Sequence, residues 1–391
     1  MKRIYLDSAA TTPLDKRVAK AMADFESEFW GNPNSIHREG QQARAKIDFA
    51  RADIAQFINA KPQEIIFTSG ATEANNLALK GVVSNAIHTL KIKPHIVTTE
   101  LEHQSVYNAV KEMEKWGVID ATYIKPTKEG MIDPNDVIRS VTDTTVLVSV
   151  IFVSNEIGSV LPVREIGKLL SEHNSREKHK ILFHTDAVQA VKYFNCNVQK
   201  LGVDLMTVSA HKINGPKGIG ALYVKSGIKP DPIMAGGSQE YGRRPGTQNT
   251  SGIIGMAKAF NLLGTLEQRQ KNAEKIKKLR DKLISEITKI DNVEINGPMG
   301  ETRSPDNVNF NIYGVDQESI VAALDLAGIA ASTGSACVSG STEPSHVIRA
   351  IGKATDWKSA TVRLTLGSQN TADEISTAHK VIKTVLTKLS K

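Results

Sequence analysis

Short runs of β-branched and other apolar residues recur from about residue 64 to residue 224, and amphipathic stretches separate several of them. The runs at 64–68, 95–99, 121–125, 145–154, 180–185, 204–209 and 221–224 predict strands, and 72–80, 104–116 and 163–173 carry apolar positions at helical spacing. This is the rhythm of an α/β fold, a mainly parallel sheet sandwiched by helices. After residue 250 the pattern changes to a long helical stretch ending near Ile290, whose charged part over 268–282 reads as a connector between domains. Strands at 308–312 and 361–366, a helix at 317–326 and a terminal helix from Ala372 predict a smaller α+β unit. No internal repeat occurs, which argues against a solenoid.

A chain of 391 residues suits two or three packed units, and 40% hydrophobic with 23% charged residues is an ordinary globular composition. The net charge of +7 is spread along the chain. Its densest basic cluster, 275–282, has helical spacing beside Glu274 and Asp281, the mark of a solvated helix face, so no nucleic-acid partner is expected. The first six residues lack the apolar core of a signal peptide, and the apolar run 146–153 is too short to span a bilayer. A cytoplasmic protein without a membrane partner follows as the expectation. The two cysteines, Cys196 and Cys337, form no CxxC pair and no Cys/His grouping, so neither a disulfide nor a metal site is expected.

Three segments suggest chemistry. Ile65-Ile66-Phe67-Thr68-Ser69-Gly70-Ala71-Thr72 reads as a strand, a glycine turn and a helix start, where free backbone N–H groups and the Thr72 hydroxyl suit a phosphate; a simple turn and N-cap fits the same residues. His184-Thr185-Asp186-Ala187-Val188-Gln189 lies at a strand end, where open α/β sheets place their ligands. Asp186 there could pair with a protonated pyridine nitrogen and Gln189 could reach a phenolic oxygen, although a helix N-cap would also use the aspartate. Ser209-Ala210-His211-Lys212, followed by Ile213-Asn214-Gly215-Pro216, presents a lysine just beyond another strand, and neighbouring cations with desolvation can make such an amine a nucleophile. An aspartate and then a lysine on consecutive strands, after an earlier phosphate turn, is the informative order.

The segments 68–76, 154–158, 184–190 and 209–223, with Ile4-Tyr5-Leu6-Asp7-Ser8-Ala9-Ala10-Thr11-Thr12-Pro13 and Ser335-Ala336-Cys337, resemble the cysteine desulfurases of the NifS/IscS type, within the class V aminotransferase fold family. The resemblance spans nearly the whole chain. It implies a PLP-dependent transferase fold (aspartate aminotransferase-like, fold type I), with residues 14–262 as a large cofactor-binding domain and 1–13 with 263–391 as a small one. It also implies pyridoxal 5'-phosphate as cofactor, L-cysteine as substrate, a homodimer, and a sulfur-acceptor protein of iron-sulfur cluster assembly or tRNA thiolation as partner.

By the same resemblance Lys212 anchors the cofactor, Asp186 pairs with its pyridine nitrogen, and Gln189 contacts its phenolic oxygen. Thr72, Ser209 and His211 hold its phosphate, with Thr247 reaching in from the partner subunit, and Ala71 also binds the cofactor. His103 stacks on the ring and assists proton transfers. Asn155 touches cofactor and substrate carboxylate, and Arg363 grips that carboxylate, for which a planar guanidinium is suited. Ser8, Asn214, Arg243-Arg244-Pro245 and Ser368-Gln369 depart from the usual family pattern without removing any of these groups.

Cys337 sits among small residues, Ser332-Thr333-Gly334-Ser335-Ala336 before it and Val338-Ser339-Gly340-Ser341 after it. A loop of this kind, about 331–345, is expected to be mobile, as a thiol that collects sulfur in one place and delivers it in another requires. Its long serine-rich form resembles the NifS/IscS branch and favours cysteine over selenocysteine. Cys196, after Phe194, reads as a structural residue. A class V aminotransferase would use the same Asp186 and Lys212 without a mobile thiol, and the products distinguish the two readings.

Overall fold

The structure is a computed structural model that describes residues 3–177, 179–333, 345–353 and 359–389. Cys337 and most of the loop expected around it lie outside the described residues.

The seven-stranded sheet has the spatial order Ile65–Thr68, Gly220–Val224, Leu205–Ser209, Leu182–Asp186, Thr145–Ser149, His95–Thr99, Asp120–Ile124. Only Gly220–Val224 runs antiparallel to its neighbours; the other pairings are parallel. Both faces are covered, which is why these strands read as continuous apolar runs. Successive residues serve opposite faces: Phe67, Val97, Val148, Phe183, Val208 and Tyr223 enter one apolar cluster. Ile66, Ile96, Leu147, Leu205 and Leu222 enter the other.

A separate three-stranded antiparallel sheet, Ser359–Thr365 with Asn307–Tyr313 with Val293–Ile295, carries a third cluster. Helices Leu266–Ile287, Gln317–Leu326 and Ala372–Leu389 contribute Leu283, Leu324 and Ile382 to it, and Ile4 and Leu6 join from the chain start. Ile4–Tyr5 pairs in parallel with Ile329–Ala330. The short helix His346–Ala350 does otherwise: Val347 and Ile348 pack into the cluster of the large sheet. No helix among the described residues is long and apolar enough to cross a membrane.

Two sequence expectations need correction. The strand expected over 145–154 ends at Ser149. The next residues still donate to the neighbouring strand, Val150 N–H to His184 O and Phe152 N–H to Asp186 O, but the chain then reverses through a turn closed by Gly158 N–H on Ser154 O. The long helical stretch after residue 250 is two helices, Thr250–Leu263 and Leu266–Ile287. Gly264, at φ 73°, ends the first, and Thr265 with Gln268 forms a capping box for the second.

Helix Val163–Asn174 approaches the turn at 201–202 so closely that a Cβ on Gly167 would lie 2.1 Å from the Leu201 carbonyl oxygen. Backbone cannot yield as a flexible side chain can. Gly167→Ala is therefore expected to lower unfolding stability by about 1–3 kcal/mol in urea titrations, and an unchanged midpoint would contradict the close approach.

Candidate active site

The C-terminal edge of the parallel strands, where an open α/β sheet offers its crevice, supplies most of the site. Thr68, Asp186 and Ser209 end their strands on this edge, and Gly220 starts its own between the first and third. Gly220 is needed there, since a Cβ would sit 2.7 Å from the Gly70 carbonyl carbon and push away the turn before helix Ala71–Leu90. That helix begins at Gly70 with no side-chain cap.

A cavity of about 560 Å³ opens on this edge. Ala71, Thr72, His103, Asn155, Asp186, Gln189, Ser209, His211, Lys212 and Arg363 all line it, so chain positions 71 to 363 meet in one place. Thr247 does not line it and is exposed. Residues not singled out from the sequence also line it, among them Ala9, Ala10, Glu156 and Lys217.

The lysine is held by the chain start. Its Nζ donates to the carbonyls of Ala9 at 2.5 Å and Ala10 at 2.6 Å, and Gln189 Nε2 donates to Ala9 O at 3.1 Å. Asn214, at φ 61°, turns the chain after the lysine. Its side chain donates to Pro13 O at 2.8 Å, and asparagine tolerates that left-handed backbone better than a bulkier residue.

Asp186 Oδ1 accepts the Val188 N–H at 3.0 Å and its Oδ2 accepts Asn75 Nδ2 at 2.8 Å, so both oxygens are satisfied from the protein side. Arg363, 1% exposed, donates to Asp7 Oδ1 at 3.1 Å and to Asn155 O at 3.2 Å. Arg244, within the basic stretch before Gly246, pairs with Glu73 at 2.8 Å at the cavity margin.

Burial lowers the affinity of His103 for a proton, and the charges of Lys212 and Arg363 act in the same direction against Asp186. His211 is pushed down to about 4, by burial first and then by Lys212 and Lys217. Both imidazoles are thus neutral at pH 7. Buried Cys196 goes the other way, up to about 12, and is inert as a nucleophile.

The residues fit pyridoxal 5'-phosphate. A capless helix start with Thr72, together with Ser209 and His211, offers donors to a phosphate dianion, a fixed carboxylate at Asp186 suits a pyridinium nitrogen, and a lysine amine lines the same cavity. The donor set contains the three partner types that this cofactor needs.

Glu156, 3% exposed, presents a further carboxyl to this cavity and accepts the Ser345 hydroxyl at 2.5 Å. Burial raises it to about 7, against the pull of that hydroxyl and of Arg363. Its folded-state value lies above the unfolded one, so its contribution to stability is fully present below about pH 4.5 and is lost as the pH rises through about 7. Glu156→Gln is expected to equal the parent near pH 4.5 and exceed it at pH 8 by on the order of 2–3 kcal/mol in urea unfolding. Parallel stability profiles would refute the assignment of this buried proton.

Comparison with known proteins agrees with the geometry. The family model "Aminotransferase class-V" matches residues 4–377. A protein of Dictyoglomus turgidum named cysteine desulfurase IscS is 45% identical over 392 residues, covering 100% of this chain and 96% of its own. Among solved structures, a NifS-like protein superposes with a TM-score of 0.89 at 32% identity, covering 99% of this chain and 100% of its own. A structure of SspA in complex with cysteine gives 0.79 at 32% identity over 94% of this chain and 100% of its own. With sheet order, cavity and relatives in agreement along the whole length, the chain belongs to the class V aminotransferase family and, within it, to the cysteine desulfurases of the NifS/IscS type.

Proposed function

We propose that the protein uses pyridoxal 5'-phosphate to take sulfur from L-cysteine, releases L-alanine, and receives the sulfur on Cys337 as a persulfide. The observation that carries this reading is the convergence of Lys212, Asp186, Gln189, His103 and Arg363 on one cavity. Bound there, the cofactor would supply an electron sink next to the substrate α-carbon. Lys212 would anchor it covalently, Asp186 would hold its pyridine nitrogen protonated, and Gln189 would face its phenolic oxygen. Ala71, Thr72, Ser209 and His211 would surround its phosphate.

Arg363 would grip the substrate carboxylate beside Asn155, its guanidinium already oriented by Asp7. The Lys212 amine would take the α-proton, and His103 would serve proton transfer within the cavity. The Cys337 thiolate then attacks the substrate sulfur. A new S–S bond forms, the Cβ–S bond breaks with its electron pair left on the carbon skeleton, and protonation of that skeleton gives alanine.

The reading includes a homodimer in which Thr247 of one subunit completes the other's phosphate site; its exposure on its own chain supports this. It includes the division into 14–262 and 1–13 with 263–391, supported by the separate apolar clusters of the two main sheets. A sulfur-acceptor protein of iron-sulfur assembly or tRNA thiolation and a cytoplasmic location complete it.

Borohydride reduction of the cofactor-loaded protein and peptide mapping are expected to find the pyridoxyl mass on Lys212, and a mass elsewhere would overturn the anchor. Cys337→Ala should keep the cofactor's absorbance and lose at least about a hundredfold of alanine and sulfide formation; undiminished turnover would remove Cys337 from the reaction. Because Cys196 is buried and held protonated, iodoacetamide should label one thiol in the native protein and none in Cys337→Ala.

A further inference from the structure

His103 caps helix Gln104–Lys115, and the way it does so determines which ring nitrogen carries its proton. The Ser105 backbone N–H donates to His103 Nδ1 at 3.1 Å. A backbone amide can only donate, so Nδ1 presents a lone pair. The Ser105 hydroxyl lies 2.8 Å from the same nitrogen. Its oxygen already accepts from Asn75 Nδ2 at 2.8 Å, which leaves its hydrogen for the ring. The second hydrogen of Asn75 Nδ2 points to Asp186 Oδ2, also at 2.8 Å. Asn75 is fully buried and Ser105 is 9% exposed, so water does not compete strongly for these groups.

One primary amide thus donates in two directions, to the carboxylate at 186 and through a hydroxyl to the imidazole at 103. We propose that Asn75 and Ser105 are positioning residues that lock His103 in the tautomer protonated at Nε2 and hold Asp186 in register with it. The inference rests on the reading of this cavity as the reaction site. A neutral ring whose Nδ1 is occupied can donate a proton only through Nε2. The charged and titratable groups acting on it are Asp186, Lys212 and Arg363, with His211 and His346 also neighbours.

Protein labelled with 15N-histidine, with and without cofactor, tests this by nitrogen chemical shift. His103→Gln identifies the resonances among the ten histidines. At pH 7 the His103 Nδ1 is expected as a pyridine-type nitrogen and Nε2 as a pyrrole-type nitrogen. Ser105→Ala removes the hydroxyl donor but keeps the backbone N–H on Nδ1, so it should raise a minor Nδ1-protonated population without making it the major form, and Ser105→Thr, which restores a hydroxyl, should lower it again. Asn75→Asp replaces the double donor with a carboxylate facing Asp186, and should move the His103 titration midpoint upward. In turnover, Ser105→Ala should lower kcat by roughly tenfold with KM for cysteine changed less than about twofold.

A pyrrole-type Nδ1 in the parent protein would overturn the proposal, as would unchanged His103 spectra in both Ser105→Ala and Asn75→Asp. The spectra are read without substrate. A locked tautomer in a protein that releases no alanine would count against the function alone, whereas desulfurase activity with a protonated Nδ1 would count against this inference alone.

Discussion

The ion pair between Asp7 and Arg363 is the contact on which the cavity depends. It joins the first strand's extension to the middle of strand Ser359–Thr365, and the arginine side chain is only 2% exposed. A guanidinium removed from water to that degree is strongly destabilising without a partner, so its value lies less in net stability than in fixing where the charge points. Asp7 is itself fixed, because the Ser332 hydroxyl donates to its other oxygen at 2.7 Å and its backbone bridges to Thr365. The Ser8 N–H on Thr365 O and the Ala9 N–H on Thr365 Oγ1 then carry the chain from the three-stranded sheet toward the large one. There Ala9 and Ala10 receive Lys212, and Thr12 bonds the carbonyl of His211. The first dozen residues are a seam between two sheets. The lysine and the arginine meet across it.

That seam explains how much could be read from the sequence. The strands of the large sheet were legible because both faces are buried, which makes apolar runs stand out. The chemistry-bearing strand ends were legible because Asp186, Ser209 and Thr68 directly precede turns or helix starts. What stayed hidden depends on tertiary neighbours. Asn75 sits in the first turns of a helix, Ser105 two residues after a histidine, and Glu156 in the turn before Gly158. No local pattern separates them from ordinary helix or turn residues, yet Asn75 reaches Asp186 over 111 positions of sequence and Ser105, beside His103, over 30. Helix His346–Ala350 shows the same limit, since its apolar residues chose the distant large-sheet core over the sheet that follows it in the chain.

The cavity's charge also follows from burial. Glu102, fully buried beside the site, accepts the Ile151 N–H and the Thr99 hydroxyl, and desolvation with nearby Asp186 drives its carboxyl well above the usual range. Glu156 is half-protonated near pH 7 for the same reason. Glu102 is thereby removed from the balance and Glu156 counts about half, leaving Lys212, Lys217, Arg363 and Arg244 against Asp186, Asp7 and Glu73.

These charges are not evenly mixed. Asp7 and Glu73 are each committed to an arginine, while Asp186 faces the amide and N–H donors that orient it. The lysines Lys212 and Lys217 and the start of helix Ala71–Leu90 therefore give the cavity positive charge, set against the oriented carboxylate of Asp186 at the end of strand Leu182–Asp186. A ligand with a phosphate at one end and a cationic ring nitrogen at the other is complementary to that gradient, and an inverted one would place like charges together. The neutral imidazole of His103 lines the same cavity and adds no charge to that gradient.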